Sequence, residues 1–235
     1  MVNARTRALR LVAVVAITLV AVTLVPATNA SANKDYGSLT ARWWKWVYAQ
    51  QAVDVAGTNT NPVLDSTGAY ATVGQSHGIG PDNKYFFLTG TFGSSVTRTV
   101  TVPKGKALFF PIINASLDNA VDPPTHYGVP KLKALAKASI DTAIVANLSA
   151  SFDGQPVPFF RSTAPTFDYT LPEHNSIYAY FGLSGPQFEG RVKPAVADGY
   201  WAFLAPPSPG PHTLTFHAEN TQGFNITVVY HLTIG

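Results

Sequence analysis

The chain has 235 residues and a formal net charge of +3, and only 12% of its residues are charged. Globular proteins carry roughly 25% charged residues, so a charge-rich disordered protein is excluded. The absence of cysteine excludes disulfides, iron–sulfur clusters, cysteine-ligated zinc and thiol nucleophiles. The 18 glycines and 18 prolines favour many turns over long helices.

Residues 1–32 have the pattern of a secretory signal peptide. Three arginines among the first ten residues form a basic start, and Leu11 to Val25 is a 15-residue apolar run. A membrane-spanning helix needs about 20 such residues, whereas Ala30-Ser31-Ala32 fits a cleavage site of small residues. We therefore expect cleavage after Ala32, and a secreted protein, periplasmic or extracellular, without a transmembrane anchor.

Removal of this segment changes the charge of the protein. The segment holds three of the 16 basic residues and none of the 13 acidic ones, so residues 33–235 carry no net charge. No stretch of residues 33–235 concentrates lysine and arginine, which argues against a nucleic-acid partner. We expect residues 33–235 to form one domain, and no motif indicates a cofactor.

Two segments are predicted to be helical. The first covers residues 38–52, because Leu39, Trp43 and Trp46 recur at helical spacing. The second covers residues 130–148, where proline occupies the first turn and apolar residues keep the same period. Residues 57–83 between the first helix and the strands are rich in turn-forming residues and are predicted to be a loop.

The rest of the chain is predicted to be strand and turn. Strands at 85–90, 96–102 and 107–113 are expected to form a meander, followed by a loop at 114–129. Further strands are predicted at 149–152, 155–157, 167–171, 177–181, 199–204, 212–218 and 224–234, with a loop at 182–197. Many short strands with frequent turns predict a mainly β protein. The expected fold is an antiparallel β-sandwich, jelly-roll-like, with an N-terminal helix and one inserted helix.

Two sets of aromatic residues are candidate ligand-binding residues. The first set is Trp43, Trp44 and Trp46 in the first helix, and the second is Tyr169, Tyr178 and Tyr180. Exposed rings on a neutral surface suit stacking on a glycan or contact with a protein partner. The alternative is that these rings anchor the helix and fill the core. This alternative is favoured because large apolar side chains are usually buried.

Histidines suggest a metal-binding hypothesis. His217 and His231 fall on the solvent face of neighbouring predicted strands, and Glu219 would complete a set of metal-ligand types. No short ligand motif such as HExxH supports this set. The alternative is two exposed histidines without a metal.

A polysaccharide hydrolase would need two carboxylates about 5–9.5 Å apart across the scissile bond. The candidate acids are Asp65, Asp118, Asp122, Glu173, Glu189 and Glu219. The chain contains no GxSxG elbow, P-loop or dinucleotide fingerprint. We therefore expect a non-catalytic binding or structural domain whose partner is a glycan, a cell-wall polymer or a protein. The alternative is a hydrolase that acts on a polysaccharide or cell-wall polymer.

A series of motifs runs through nearly all of residues 33–235. The motifs are Trp43–Trp46, Asn61-Pro62, Asp65–Gly68, Gly74–Ser76, Phe87–Gly93, Val102–Pro111, Asp198–Trp201, Pro209–Thr213 and Val229–Thr233. Together they resemble a family of secreted bacterial β-rich proteins for which no activity is settled. The resemblance implies a secreted single domain and assigns no functional residues. Similar sequences often carry cysteines near the positions of Ala71 and Val100, and both cysteines are absent here.

Overall fold

The computed structural model describes residues 35–75, 84–120 and 126–235. The predicted signal peptide and parts of the two predicted loops, residues 76–83 and 121–125, lie outside the described residues. The described chain is mainly β, with two five-stranded sheets and few helices. None of its helices combines the length and apolar character needed to cross a membrane.

The helices and strands have the following bounds. The helices are α1 (Tyr36–Tyr48), α2 (Val129–Ile140) and the single turn α3 (Ile177–Tyr180), with 3-10 turns at Val145–Asn147 and Pro186–Phe188. The strands are β1 (Tyr85–Phe87), β2 (Val96–Val102), β3 (Ala107–Asp118), β4 (Ser149–Phe152), β5 (Gln155–Pro156), β6 (Phe159–Thr163), β7 (Phe167–Leu171), β8 (Gly190–Leu204), β9 (Gly210–Glu219) and β10 (Asn225–Ile234).

The strands form two sheets. In sheet 1 the strand order is β1-β3-β8-β6, and β7 also pairs with β8. In sheet 2 the strand order is β2-β10-β9-β4-β5. The pairs β1–β3 and β2–β10 are parallel and the others antiparallel, so the purely antiparallel prediction is wrong at these two positions. The predicted meander is also wrong, because β2 belongs to sheet 2 and β1 and β3 pair directly. The segment between β1 and β2 therefore crosses from one sheet to the other.

Sheet 1 is covered on both faces by apolar side chains. On one face α1 places Trp43 against Trp201, whose ring also stacks on Phe109 at a centroid distance of 4.9 Å. On the other face Phe110 of sheet 1 meets Phe216 of sheet 2, with ring centroids 5.3 Å apart. Most of the buried aromatic side chains therefore lie in these two cores.

Several element boundaries differ from the predictions. The prediction of a strand at 177–181 is wrong, since these residues form the helical turn α3. In this turn the neighbouring side chains of Ile177 and Tyr178 are both buried, which a strand with alternating faces would not allow. The predicted loop at 182–197 contains the start of β8, whose small buried residues Ala195 and Ala197 give a weak strand signal. Strand β6 was not predicted, and both long helices end earlier than expected.

A bulge in β3 decides which side chains face α1. The register of β3 on β8 shifts between Pro111 and Ile113, and both Ile112 and Ile113 belong to the core between the sheets. Successive residues then alternate faces, so Asn114, Ser116 and Asp118 lie on the α1 side. The bulge thus places a row of polar residues beneath α1.

Arg98 on β2 is a fully buried charged residue, with 1% of its surface exposed. Its Nε donates to the Asp65 carbonyl at 2.7 Å, and Nη1 donates to the Thr89 carbonyl at 2.8 Å and to the Tyr230 hydroxyl at 2.7 Å. Both terminal nitrogens donate to the Gly90 carbonyl at 3.2 Å. Within the described residues no carboxylate pairs with Arg98, so carbonyl and hydroxyl dipoles stabilise its charge.

Replacement of Arg98 should therefore be costly. Arg98→Met leaves several buried oxygens without donors, and we expect the free energy of unfolding to fall by about 3 kcal/mol or more. Urea denaturation measures this loss. The matched control is Arg191→Met, which removes an exposed ion pair with Asp168 and should cost less than about 1 kcal/mol. Equal losses in the two variants would contradict the role given to Arg98.

Candidate functional site

The described residues form a pocket where α1, β3 and α2 meet the turn between β9 and β10. We call it the α1–β3 pocket, and its volume is about 190 Å³. Its principal lining residues are Trp43, Trp44, Phe92, Asn114, Ile140 and Phe224. An apolar cavity of about 150 Å³ is enough to admit benzene. The pocket therefore has room for a small ligand group.

The lining of the α1–β3 pocket is aromatic, aliphatic and neutral polar. No charged side chain is found among the described residues that line it. The neutral polar residues of the lining are Asn114, Asn220 and Gln222, with Thr91 and Ser139. Since a buried charge needs a paired or solvated environment, this composition suits an uncharged ligand.

Two buried N–H donors of the pocket residues have no acceptor within the described part of the chain. They are Nε1 of Trp44 and Nδ2 of Asn114. The neighbouring indoles differ, because Trp43 donates to the Leu88 carbonyl at 2.8 Å and Trp46 to the Val73 carbonyl at 2.7 Å. A buried donor without an acceptor costs about 1–3 kcal/mol. Neither nitrogen has surface that a water molecule can reach in this arrangement.

Arg98 also fixes one wall of this pocket. The carbonyls of Val63 and Gly90 accept from its terminal nitrogens, and both residues line the pocket. Two loops that flank β1 are thereby held to the same guanidinium. This wall is therefore formed before any ligand binds.

The structure separates the six predicted aromatic residues. Trp43, Trp44 and Trp46 are all buried, so no face of this set is open for sugar stacking, although Trp43 and Trp44 line the α1–β3 pocket. Tyr169 and Tyr178 are buried as well. The buried tryptophans correspond to the alternative in which they anchor α1 on sheet 1.

Tyr169 and Tyr178 bind a carboxylate beneath α1. Their hydroxyls donate to Asp118 Oδ2 at 2.6 and 2.7 Å, and Tyr48 stacks on Tyr169 with ring centroids 4.0 Å apart. Burial, with the nearby charge of Asp118, raises the pKa of all three phenols. The tyrosines therefore remain neutral donors and hold Asp118 in place.

Tyr180 is the one predicted aromatic residue with an exposed ring, at 49%. It contacts Phe181, which in turn makes an edge contact with Phe92 at 5.1 Å. Phe92 is 48% exposed and also lines the α1–β3 pocket. Sequence reasoning missed Phe92 and Asn114, because neither the loop packing nor the β3 bulge has a signature in the sequence.

The three residues of the metal hypothesis are not brought together. His217 pairs with Thr227 and His231 with Thr213 in the β9–β10 register, so the histidines lie roughly 13 Å apart along the strands. The Glu219 carboxylate is 4.0 Å from His217 Nε2. Among the residues described, no group of three or more such side chains is placed to hold a metal ion.

The candidate acids have different environments. The Asp65 carboxylate accepts from the backbone N–H groups of its own loop, and Glu219 accepts from Asn147 at 2.9 Å. Asp122 lies outside the described residues. Glu173 and Glu189 are both exposed and line one shallow groove together with His174. These two glutamates are the candidate acids that line a common groove in the described part of the chain.

Ser208, His212 and Asp153 resemble a catalytic triad only in composition. His212 Nδ1 donates to Asp153 Oδ2 at 2.7 Å, and Nε2 donates to the Ser208 carbonyl at 2.8 Å. Nε2 would have to accept a proton from the serine hydroxyl, which lies 3.5 Å away. Because both ring nitrogens face acceptors, the geometry suits the imidazolium, and the bonds to Asp153 and Ser208 raise the pKa of His212.

This arrangement predicts a pH dependence of stability. A raised folded pKa means that the contribution of His212 is full below its unfolded pKa of about 6.5 and is lost as the pH rises through the folded value. We expect the melting temperature to fall over that range. The corresponding loss in the free energy of unfolding should be less than about 1 kcal/mol, because Asp153 is exposed. His212→Gln should flatten this dependence, because glutamine does not titrate over this range. Scanning calorimetry between pH 5 and about 9 measures it.

Comparisons with known proteins provide no family. No protein-family model and no curated protein matches the chain. It is similar to the solution structure of amebosin, with 10% identity over 61% of this chain and 98% of that chain and a TM-score of 0.21. It is also similar to PbICP-C in complex with falcipain-2, with 10% identity over 65% and 99% of the two chains and a TM-score of 0.24. TM-scores this low carry no argument about fold or function.

Proposed function

We propose that this protein is a secreted bacterial, non-catalytic binding domain that holds an uncharged ligand in the α1–β3 pocket. The single observation that carries the proposal is a pocket with room for a small group whose described lining is aromatic, aliphatic and neutral polar, without a charged side chain. Ligand sites are typically apolar with a few placed polar groups. A neutral glycan or the end of a cell-wall polymer fits this description.

The expected sandwich fold and the expected secretion belong to the same proposal. The apolar core shared by the two sheets supports a sandwich or jelly-roll-like arrangement. The basic start, apolar run and small-residue cleavage site of residues 1–32 support export to the periplasm or the extracellular space. A binding domain for envelope or extracellular polymers would work in these compartments.

A hydrolase that acts on a polysaccharide is the second candidate. It is favoured by Glu173 and Glu189, whose exposed carboxylates line the same groove. The groove is separate in its lining from the α1–β3 pocket. The two candidates therefore make different predictions for different residues.

Binding should raise the melting temperature of the purified protein. A ligand at 100 times its dissociation constant adds about 2.7 kcal/mol, which a thermal-shift panel of neutral glycans and cell-wall fragments would detect. Ser139 is exposed and lines the pocket, whereas its neighbour Ala138 is exposed and does not. Ser139→Trp should abolish the shift and Ala138→Trp should retain it. Loss of the shift in both variants, or in neither, would argue against the pocket.

A non-catalytic domain should release no product from these glycans. We expect prolonged incubation with each polymer to generate no new reducing ends, as measured by chromatography of the products. Release that disappears in both Glu173→Gln and Glu189→Gln, but persists in Ser139→Trp, would establish the hydrolase instead. Release that survives both glutamine variants would point to a contaminating enzyme, which repeat purification would remove.

A further inference from the structure

We propose that the ligand is a chain of several neutral sugars, which runs from the α1–β3 pocket across the ring of Phe92 into a neighbouring groove lined by Tyr180. This inference rests on the proposed function and specifies its ligand as a polymer rather than a single small molecule. It follows from the position of the exposed aromatic rings, from the residues that the pocket and the groove share, and from the area of the exposed rings.

The exposed aromatic rings of the described chain lie together. Phe92, Tyr180 and Phe181 are the aromatic side chains among the described residues that are exposed, at 48, 49 and 51%. The ring of Phe181 makes edge contacts with both of the others, at centroid distances of 5.1 Å to Phe92 and 5.3 Å to Tyr180. Two segments that are distant in the sequence thus form one exposed surface, which we call the aromatic patch.

A groove at the aromatic patch continues from the α1–β3 pocket. It has a volume of about 260 Å³ and includes Tyr180 in its lining, so we call it the Tyr180 groove. Val63, Thr91 and Phe92 line both the groove and the pocket. The half-exposed ring of Phe92 is therefore part of the wall of both depressions, and a ligand that occupies both contacts this ring.

The Tyr180 groove has the same neutral character as the pocket. Among the described residues that line it, no side chain is charged, and the exposed residues Ser66 and Ser94 provide hydroxyls. A hydroxyl can donate and accept, as the hydroxyls of a sugar do, and the face of an aromatic ring can pack against the C–H groups of a sugar ring. A charged polymer would find no opposite charge in either lining. This combination favours a neutral glycan.

The area of the aromatic patch argues against a folded protein as its occupant. A buried aromatic side chain removes roughly 150–250 Å² from water, so three half-exposed rings offer about 300 Å². A standard protein interface covers about 800 Å² on each partner, of which more than half is apolar. The aromatic patch is smaller than this apolar share, and its area suits a single polymer chain better than a second copy of this protein.

Both halves of the aromatic patch are held by buried groups. The loop that carries Phe92 is fixed where the carbonyl of Gly90 accepts from the Arg98 guanidinium at 3.2 Å. The turn α3, which carries the other two rings, is fixed where the buried Tyr178 hydroxyl donates to Asp118 Oδ2 at 2.7 Å. The rings are therefore in place before a ligand binds, which reduces the entropy lost on binding.

The test compares ligands of different length. Cellohexaose, laminarihexaose, chitohexaose and maltohexaose are each titrated beside the methyl glycoside of their single sugar. Calorimetric titration should show that at least one hexasaccharide binds more than about tenfold more tightly than its methyl glycoside, because only the longer ligand reaches both the pocket and the Tyr180 groove.

Tyr180→Ala is the decisive variant, because Tyr180 lines the groove and not the pocket. It should weaken binding of that hexasaccharide about tenfold, through loss of the stacked ring, and leave binding of the methyl glycoside unchanged. Tyr180→Phe restores the ring and should restore the affinity. The matched control is Val145→Ala, at a position that is 48% exposed and lies outside both linings, and it should retain the affinity. Both positions are exposed, so the melting temperatures of the free variants should stay close to that of the unaltered protein.

Three outcomes would overturn the inference, and only one of them also overturns the proposed function. The first is a hexasaccharide affinity that Ser139→Trp abolishes but Tyr180→Ala leaves unchanged, which would confine the ligand to the pocket and keep the proposed function. The second is dimerisation of the unaltered protein that Tyr180→Ala removes, measured by analytical ultracentrifugation, which would assign the aromatic patch to a second copy of the chain. The third is failure of every neutral glycan to bind, which would overturn both.

Discussion

Arg98 carries a positive charge into the space between β2 and the two loops that flank β1. A guanidinium presents five N–H groups in one plane, and here they converge on carbonyls from both loops and on the hydroxyl of Tyr230. Each carbonyl that turned away would leave part of the charge unsolvated in a site closed to water. The loops are therefore held in one arrangement, and sheet 2, the two loops that flank β1 and a wall of the α1–β3 pocket meet at this residue.

Helix α1 is anchored on sheet 1 by its tryptophans, two of which also line the α1–β3 pocket. Trp43 and Trp46 bury their rings and give their N–H groups to backbone carbonyls, which ties the helix to the strand and loop below. Trp44 is packed between Trp43 and Tyr48 but keeps a donor without an acceptor. Trp43 and Trp46 therefore anchor the helix through their N–H groups, whereas Trp44 contributes to the anchoring through the packing of its ring alone.

The sequence predicted those elements whose pattern is local. Spacing of apolar residues predicted α1 and α2, and alternation predicted β2, β9 and β10 with their buried faces. The partners of these strands depend on contacts between distant segments, so the crossing of β2 into the other sheet was not predicted. The aromatic residues of segment 177–181 did not distinguish the turn α3 from a strand. A strand buries alternate side chains, whereas this turn buries the neighbours Ile177 and Tyr178.

The candidate site was predictable only in part. The tryptophans were identified as ligand candidates, and two of them line the pocket. Asn114 was missed because its direction depends on the extra residue in β3, and a bulge changes the face of every later residue without any marker in the sequence. The exposed position of Phe92 depends equally on the loop fixed by Arg98.

The position of β10 between β2 and β9 bears on how the chain folds. β10 separates β2 from β9, and the contact between Arg98 and Tyr230 joins residues 132 positions apart. As the chain emerges from the ribosome, β2 has no strand to pair with until β10 has been synthesised, so β2 joins sheet 2 late. Contacts between such distant segments slow folding, and every strand of sheet 1 precedes β10 in the chain. The edge of sheet 2 is therefore completed only after the strands of sheet 1 are available to pair.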